Sequence, residues 1–236
     1  MRADTAVPCN VSLERVKLAN PLLRMSHRIA GGTPIKIVAI GSSSTAGAGA
    51  TSPAQNYPMR LEAELRKAFP RQDITVLNRG VNGEEIADML RRFDSAVIEP
   101  RPDLVIWQLG TNSVIRDHTN EDHAANIRRG VERIKAIGAD IILLDPQYAP
   151  KVIAKPEAEA MVNLIAAAAK QENVGVFKRF EFMRHWQTVE RIPFETFVNP
   201  DGLHLNDWSY GCLAKGLAVA ITEASTRPVV SATAVR

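Results

Sequence analysis

The chain has 236 residues, of which 45% are hydrophobic, 23% charged and 6% aromatic, and its formal net charge is +3. This balance is ordinary for a globular protein, and no apolar run approaches the roughly 18 residues that a membrane-spanning helix requires. The basic residues are dispersed and do not alternate with aromatic residues, which argues against a nucleic-acid-binding protein.

The length fits one large domain, which we place at residues 36–227. Residues 1–35 contain several Pro and Gly residues, and we expect an irregular lead-in there, with one short helix near residues 11–19. This lead-in lacks the apolar core of a signal peptide. Residues 228–236 are expected to form a C-terminal tail.

Two cysteines, Cys9 and Cys212, lie near opposite ends of the chain. Neither belongs to a CxxC motif or a Cys/His cluster, so no metal site is predicted. A disulfide between them would tie the N-terminal segment to the last helix and would imply an oxidising compartment. The spacing alone favours two buried free thiols and leaves both alternatives open.

From residue 36 onward, strand-like and helix-like segments alternate. Short apolar runs predict strands, and apolar residues at helical spacing predict the helices between them. The predicted strands are 36–41, 73–77, 103–109, 140–144 and 174–177, and the predicted helices are 57–69, 84–98, 121–137, 156–171 and 208–225. This order predicts an α/β fold, a three-layer α/β/α sandwich with a five-stranded parallel sheet. Right-handed crossovers would bring the carboxyl ends of all strands to one edge, where such sheets bind ligands.

Three serines follow the first strand. Gly41 ends the apolar run, and Ser42, Ser43 and Ser44 come directly after it. The turn would place a serine at the carboxyl edge of the sheet. Taken alone, a tight turn without a catalytic role is the simpler interpretation.

The next two strands also end in polar motifs. Asn78-Arg-Gly80-Val-Asn-Gly83 is a glycine-rich turn before a helix, where free backbone N–H groups are expected. Gly110-Thr-Asn112 places an amide side chain at the same edge. Both motifs could serve only as turns or caps, but both could also donate hydrogen bonds to an oxyanion.

Asp201 and His204 are three residues apart, just before the last helix. The carboxylate could accept the Nδ1 proton of the imidazole and leave Nε2 free as a base. Taken alone, the pair could equally be a helix cap beside a surface histidine. With Ser43 it supplies the nucleophile, base and orienting carboxylate that acyl transfer needs.

The four motifs together resemble the signature blocks of the SGNH, or GDSL-type, hydrolases. The matching blocks are Gly41-Ser-Ser43-Ser-Thr-Ala-Gly, Asn78-x-Gly-x-x-Gly83, Gly110-Thr-Asn and Asp201-x-x-His. The resemblance extends over roughly residues 36 to 222. It implies a flavodoxin-like sandwich with a five-stranded parallel sheet.

The resemblance also implies the roles of individual residues. Ser43 would be the nucleophile, His204 the general base and Asp201 the partner that orients it. The backbone N–H groups of Ser43 and Gly83 and the side chain of Asn112 would form the oxyanion hole. No metal or organic cofactor is implied.

One position departs from the family pattern. The family usually has Asp immediately before the nucleophile, whereas this chain has Ser42. The triad does not depend on that residue, but the rigidity of the nucleophile turn is put in doubt. Alignment with the family's Gly-Asp-Ser selects Ser43 over Ser42 and Ser44.

Candidates for a substrate pocket are Gln147 and Tyr148, in the loop after the fourth strand, and Trp208, after the Asp201 motif. Each could instead serve only in packing. No long apolar lid segment is present, which favours short acyl groups. We predict a serine esterase for short acyl esters, including O-acetyl groups on carbohydrate or cell-wall glycan; a thioesterase or arylesterase of the same family is the alternative.

Two other classes of function compete with an esterase. A non-catalytic SGNH-like domain that binds glycan would keep the fold, and Ser42 gives that alternative its support. A flavodoxin-like nucleotide-binding module would explain the loop after the first strand but leaves Asp201 and His204 without a role.

The resemblance bears on location as well. Relatives with a short cysteine-bearing lead-in are often exported, so the resemblance favours a Cys9–Cys212 disulfide and a periplasmic or secreted protein; a cytoplasmic protein is the alternative. The sequence makes no prediction of the oligomeric state.

Overall fold

The computed structural model describes residues 7–118 and 122–228. Its five strands are β1 Ile35–Gly41, β2 Ile74–Gly80, β3 Leu104–Gln108, β4 Asp140–Leu144 and β5 Gly175–Phe177. They form one sheet in the order β2-β1-β3-β4-β5, and every neighbouring pair is parallel. The predicted three-layer α/β sandwich is therefore confirmed.

Helices flank both faces of the sheet. In chain order they are α1 Leu13–Val16, α2 Leu23–Ala30, α3 Ser43–Ala46, α4 Tyr57–Ala68, α5 Ile86–Arg91, α6 Thr111–Ile115, α7 His123–Ala136, α8 Pro150–Ile153, α9 Ala158–Gln171, α10 Arg179–Thr188, α11 Phe194–Phe197 and α12 Asp207–Thr226. A 3-10 turn spans Pro53–Gln55 and a π-helical segment spans Asp94–Ile98. None of the helices in the described residues is long and apolar enough to cross a membrane.

Two predicted helices differ in their bounds. The helix predicted at 84–98 is divided, because α5 ends at Arg91 and the chain continues into the π-helical segment. Arg92, at the break, donates hydrogen bonds to the carboxylate of Glu84. Residue 121, the predicted start of another helix, lies outside the described residues; α7 begins at His123. Residues 229–236 of the predicted tail are also outside them.

The lead-in is more ordered than predicted, because it contains the unpredicted helix α2. Met25 of this helix is fully buried, and its backbone N–H donates to Asp140 Oδ2 at 2.9 Å. Arg24 and Arg28 both form ion pairs with the buried carboxylate of Asp103, at 2.9 and 2.7 Å. The lead-in therefore covers the amino ends of β3 and β4.

The sheet centre is packed tightly against α7. All five residues of β3 are buried. Trp107 lies so close to Gly130 that a Cβ on this glycine would be 2.2 Å from the indole ring. Phe93 also packs against the indole, with 5.1 Å between ring centroids. Gly130 is required here because the helix backbone and a large aromatic side chain share one space.

Cys9 and Cys212 form a disulfide that joins the N-terminal segment to α12. The two free thiols that the spacing favoured are therefore not what the structure shows. Trp208 Nε1 donates to the carbonyl of Val7 at 2.7 Å, and Lys215 Nζ donates to the carbonyl of Cys9 at 3.1 Å. These contacts hold the N-terminal segment against α12.

Replacing both Cys9 and Cys212 by Ser should lower the free energy of unfolding by about 2–4 kcal/mol, because the bridge closes a long loop in the unfolded chain. The two cysteines are 203 residues apart. Urea unfolding with and without reductant measures the loss. The double variant is the control, since reductant should not change its stability. A wild-type midpoint that does not respond to reductant, with no mass change on reduction, would contradict the bridge.

Candidate active site

The register of the sheet brings the polar motifs together. Gly41 at the end of β1 is paired with Gly80 at the end of β2, and Ile40 is paired with Trp107 in β3. The strands run parallel, so the segments that follow them leave the sheet at one edge. The motifs that follow β1, β2 and β3 therefore begin side by side.

The turn after β1 is held by the motif that begins in the last residues of β2. The Asn78 side chain donates from Nδ2 to the carbonyl of Thr45 at 2.8 Å, and Val81 N–H donates to the carbonyl of Gly41 at 3.0 Å. A Cβ on Gly80 would be 2.0 Å from the backbone nitrogen of Ala46. Gly80 is thus needed for close contact between two backbones, and Asn78 fixes the nucleophile turn.

Ser43, His204 and Asp201 form a hydrogen-bonded row. The Oγ of Ser43 lies 3.0 Å from His204 Nε2, and His204 Nδ1 lies 2.5 Å from Asp201 Oδ2. The side chains of His204 and Asp201 are 22% and 43% exposed. The structure therefore brings together the nucleophile, base and carboxylate candidates at a site open to solvent.

The structure separates the three adjacent serines. Ser42 is buried, and both its N–H and its Oγ donate to Gln108 Oε1, at 2.8 and 3.0 Å. Ser44 is also buried. Ser43, which begins α3, is partly exposed and directs its hydroxyl to His204. Gln108, which the sequence analysis did not single out, therefore fixes Ser42, the residue at the position of the Asp in the GDSL sequence.

Asp201 also organises the loop that carries His204. Its Oδ1 accepts hydrogen bonds from the backbone N–H groups of Leu203 and His204, at 2.9 and 3.0 Å. Partial burial would raise the pKa of Asp201, but the hydrogen bonds from His204 and these backbone groups outweigh it and lower the pKa. An ionised Asp201 is therefore available to orient the imidazole.

Three hydrogen-bond donors follow the carboxyl ends of β1, β2 and β3. Ser43 N–H and Gly83 N–H have no acceptor within the described part of the chain, and Gly83 has a left-handed φ of 79°. Asn112 is buried, and its Nδ2 donates to the carbonyl of Glu84 at 2.8 Å. An amide nitrogen carries two hydrogens, so Asn112 keeps one for a ligand. These are the three predicted oxyanion donors.

Glu85 fastens the Gly83 segment to the segment after Asn112. It accepts hydrogen bonds from Arg116 and His118 at 2.8 and 2.9 Å, and from Ser113 at 3.0 Å. Burial would raise the pKa of Glu85, but these hydrogen bonds lower it. The ionised carboxylate of Glu85 therefore links the segment that contains Gly83 to the segment that follows Asn112.

The three pocket candidates occupy different environments. Gln147 is fully buried with its amide bonded inside the protein, so it does not line an open pocket. Tyr148 is partly buried and packs between Phe180 and Phe194, at centroid distances of 5.1 and 5.8 Å. Trp208 binds the N-terminal segment through Val7. The contacts of all three are with the protein interior or the N-terminal segment.

The site brings together groups that acyl transfer can use. A hydroxyl, an imidazole hydrogen-bonded to it, a carboxylate on the far ring nitrogen and three donors lie at one edge of the sheet. In residues 7–118 and 122–228, no group of three His, Cys, Asp or Glu side chains could hold a metal ion. The geometry is that of a nucleophilic serine site.

The chain is similar in sequence to known esterases. An arylesterase of Vibrio mimicus is 26% identical over 175 residues, which are 72% of this chain and 79% of that protein. Esterase TesA of Pseudomonas aeruginosa is 27% identical over 148 residues, covering 61% of this chain and 70% of the relative.

Solved structures share the fold. A two-domain esterase active on acetylated mannans superposes with a TM-score of 0.77 at 20% identity. The match covers 92% of this chain but only 58% of that longer protein. An acetylxylan esterase from Geobacillus stearothermophilus superposes with a TM-score of 0.67 at 20% identity, over 79% of this chain and 94% of the other.

The fold, the site and these relatives define a carboxylic ester hydrolase of the SGNH type. A family model matches residues 8–227, almost the whole chain. The chain belongs to the Non-GDSL lipase-like family.

Replacing Ser42 by Asp, the residue of the GDSL sequence, should lower kcat/KM at least about tenfold. A carboxylate at residue 42 would face the acceptor Gln108 Oε1, which repels it. Rotating the Gln108 amide would offer Nε2 to the carboxylate, but the backbone N–H of residue 42 would then lose its acceptor. Ser42→Ala, which loses one hydrogen bond without adding a charge, is the matched control and should be milder. A Ser42→Asp enzyme as active and as stable as wild type would contradict this role of Gln108.

Proposed function

We propose that this protein hydrolyses esters of short acyl groups through Ser43, His204 and Asp201, and that O-acetyl groups on carbohydrate are its substrates. The observation that supports this most strongly is the 3.0 Å contact between Ser43 Oγ and His204 Nε2. A base at that distance can remove the hydroxyl proton as the oxygen attacks.

In the first half of the reaction His204 accepts the Ser43 proton while Oγ attacks the ester carbonyl carbon. The carbonyl oxygen becomes an oxyanion, stabilised by Ser43 N–H, Gly83 N–H and the Asn112 amide. His204, now protonated and held by Asp201, gives its proton to the departing alcohol oxygen. The acyl group remains on Ser43.

In the second half a water molecule replaces the alcohol. His204 takes one proton from the water, and the resulting oxygen nucleophile attacks the acyl carbon. The same three donors receive the second oxyanion. When it collapses, the carboxylic acid leaves and the proton on His204 returns to Ser43 Oγ. Asp201 stays ionised throughout, in agreement with its lowered pKa.

The exposure of the site and the relatives both support a carbohydrate ester. With 22% of the His204 side chain and 43% of the Asp201 side chain exposed, an ester carried on a bulky sugar can reach Ser43. An acetylxylan esterase of Geobacillus stearothermophilus is 29% identical over 94 residues, and one structural neighbour acts on acetylated mannans. The arylesterase relative supports aryl esters as the second candidate.

The location that we propose is periplasmic or secreted. The support is the Cys9–Cys212 disulfide, because such bridges persist mainly in oxidising compartments. The substrate is then a small-molecule or carbohydrate ester outside the cytoplasm.

The test compares p-nitrophenyl acetate, butyrate and octanoate with acetylated xylooligosaccharides as substrates. We expect kcat/KM to fall with acyl length and acetate to be released from the oligosaccharides. Ser43→Ala and His204→Ala should lower kcat at least about 10³-fold, and Asn112→Ala about 10²- to 10³-fold. Ser44→Ala, a neighbouring serine that does not contact His204, is the matched control.

Each unexpected outcome has a definite meaning. Wild-type activity in Ser43→Ala would rule out the triad. A preference for octanoate would contradict a short-acyl esterase. Turnover of aryl acetates without release of acetate from carbohydrate would favour the aryl ester candidate.

A further inference from the structure

Gln147 lies between two parts of the active site that are far apart in sequence. It follows β4 in the short segment that leads to α8. Its side chain is completely buried. The segment is anchored on its inner side, because Arg179 Nε donates to the carbonyl of Asp145 at 2.8 Å and Phe180 N–H donates to Asp145 Oδ1 at 2.9 Å. Gln147 therefore projects from a fixed backbone.

Both ends of the Gln147 amide are used. Thr111 Oγ1 donates to Gln147 Oε1 at 2.8 Å, and Gln147 Nε2 donates to the carbonyl of Leu203 at 3.3 Å. Thr111 immediately precedes Asn112, and Leu203 immediately precedes His204. One buried amide thus joins the segment of an oxyanion donor to the loop of the general base.

The loop that carries His204 is also held by other hydrogen bonds, from Asn199 N–H to the carbonyl of His204 at 2.8 Å and from Asn199 Nδ2 to the carbonyl of Gly49 at 3.1 Å. It lies outside the regular helices and strands, apart from an isolated bridge between Val198 and Leu205. Lys151 N–H donates to the carbonyl of Gly202 at 2.9 Å, which is a backbone contact. The Gln147 bond to Leu203 is a side-chain contact to the residue next to the base, so a substitution can remove it.

We infer that Gln147 is a positioning residue, which sets the placement of His204 and Asn112 relative to each other without contacting substrate. This inference rests on the proposed function, because it concerns the geometry of that same site. Glutamine suits the position because its amide offers an acceptor oxygen to Thr111 and a donor nitrogen to the Leu203 carbonyl from one side chain. A displacement of about 1 Å at either end would misalign the base or the oxyanion donor, and such errors cost about 10²-fold in rate.

The main variant is Gln147→Met, which keeps the side-chain length and removes both hydrogen bonds. We expect kcat for p-nitrophenyl acetate to fall about 10- to 10²-fold, while KM stays within about threefold of wild type. Gln147→Glu keeps the acceptor for Thr111 but faces the Leu203 carbonyl with a carboxylate oxygen, so it should not restore activity.

The matched control is Gln72→Met. Gln72 also donates from its side-chain amide to a backbone carbonyl, that of Ile29 at 2.8 Å, but it precedes β2 at the opposite edge of the sheet. Its loss should affect stability alone and leave kcat unchanged. The comparison separates a positioning role from the general effect of replacing a glutamine side chain that donates a hydrogen bond.

A second readout does not depend on turnover. In protein labelled with ¹⁵N-histidine, the ring signals of His204 should shift in Gln147→Met and stay at their wild-type positions in Gln72→Met. If the wild-type protein hydrolyses no ester, the proposed function fails, and these signals still decide whether Gln147 places His204. Wild-type kcat together with wild-type His204 signals in a folded Gln147→Met protein would overturn the inference.

If Gln147→Met does not fold, the variant Thr111→Val tests the positioning role of Gln147 instead. It removes only the hydroxyl that bonds to Gln147, and we expect kcat to fall about three- to tenfold with the Asn112 side-chain amide signal displaced. Adding Thr111→Val to Gln147→Met should cost little more, because the shared contact is already gone. Unchanged kcat and an unchanged Asn112 signal in Thr111→Val would overturn the role of Gln147.

Discussion

The hydrogen bond between Ser43 and His204 joins residues that are 161 positions apart. Its length depends on every contact that places the turn after β1 against the loop before α12. The parallel pairing of β1 with β2 fixes one side, and the packing of α12 against α4 and the N-terminal segment fixes the other. The distance between Ser43 Oγ and His204 Nε2 therefore depends on the packing of the whole fold.

Buried polar side chains complete that support. Gln108 accepts both hydrogen bonds of Ser42, Asn78 binds the carbonyl of Thr45, and Glu85 joins the two donor segments. Buried polar groups cost free energy unless they are bonded, so these hydrogen bonds favour one arrangement over its alternatives. In this chain the hydrogen bonds from Ser42 to Gln108 hold the turn that carries Ser43, at the position where the GDSL sequence has Asp.

The sequence predicted the parts that depend on local pattern. Apolar runs located all five strands to within three residues, the largest error being at the end of β2, and the glycine-bounded motifs identified the residues that meet at the sheet edge. It did not predict α2, because this eight-residue helix lies between Pro21 and Gly31, in a segment whose Pro and Gly residues indicate irregular structure. It also missed Gln108 and gave Gln147 a pocket role, because the partner of a buried amide is set by tertiary contacts 36 to 66 residues away.

The most direct test of the Ser43 site is mass spectrometry after treatment with a fluorophosphonate, which reacts with activated serine hydroxyls. We expect one adduct per chain, mapped to the peptide that contains Ser43, kept in Ser44→Ala, absent in Ser43→Ala and formed much more slowly in His204→Ala. A folded wild-type protein that forms no adduct, or forms it on another residue, would contradict a nucleophilic serine at the end of β1.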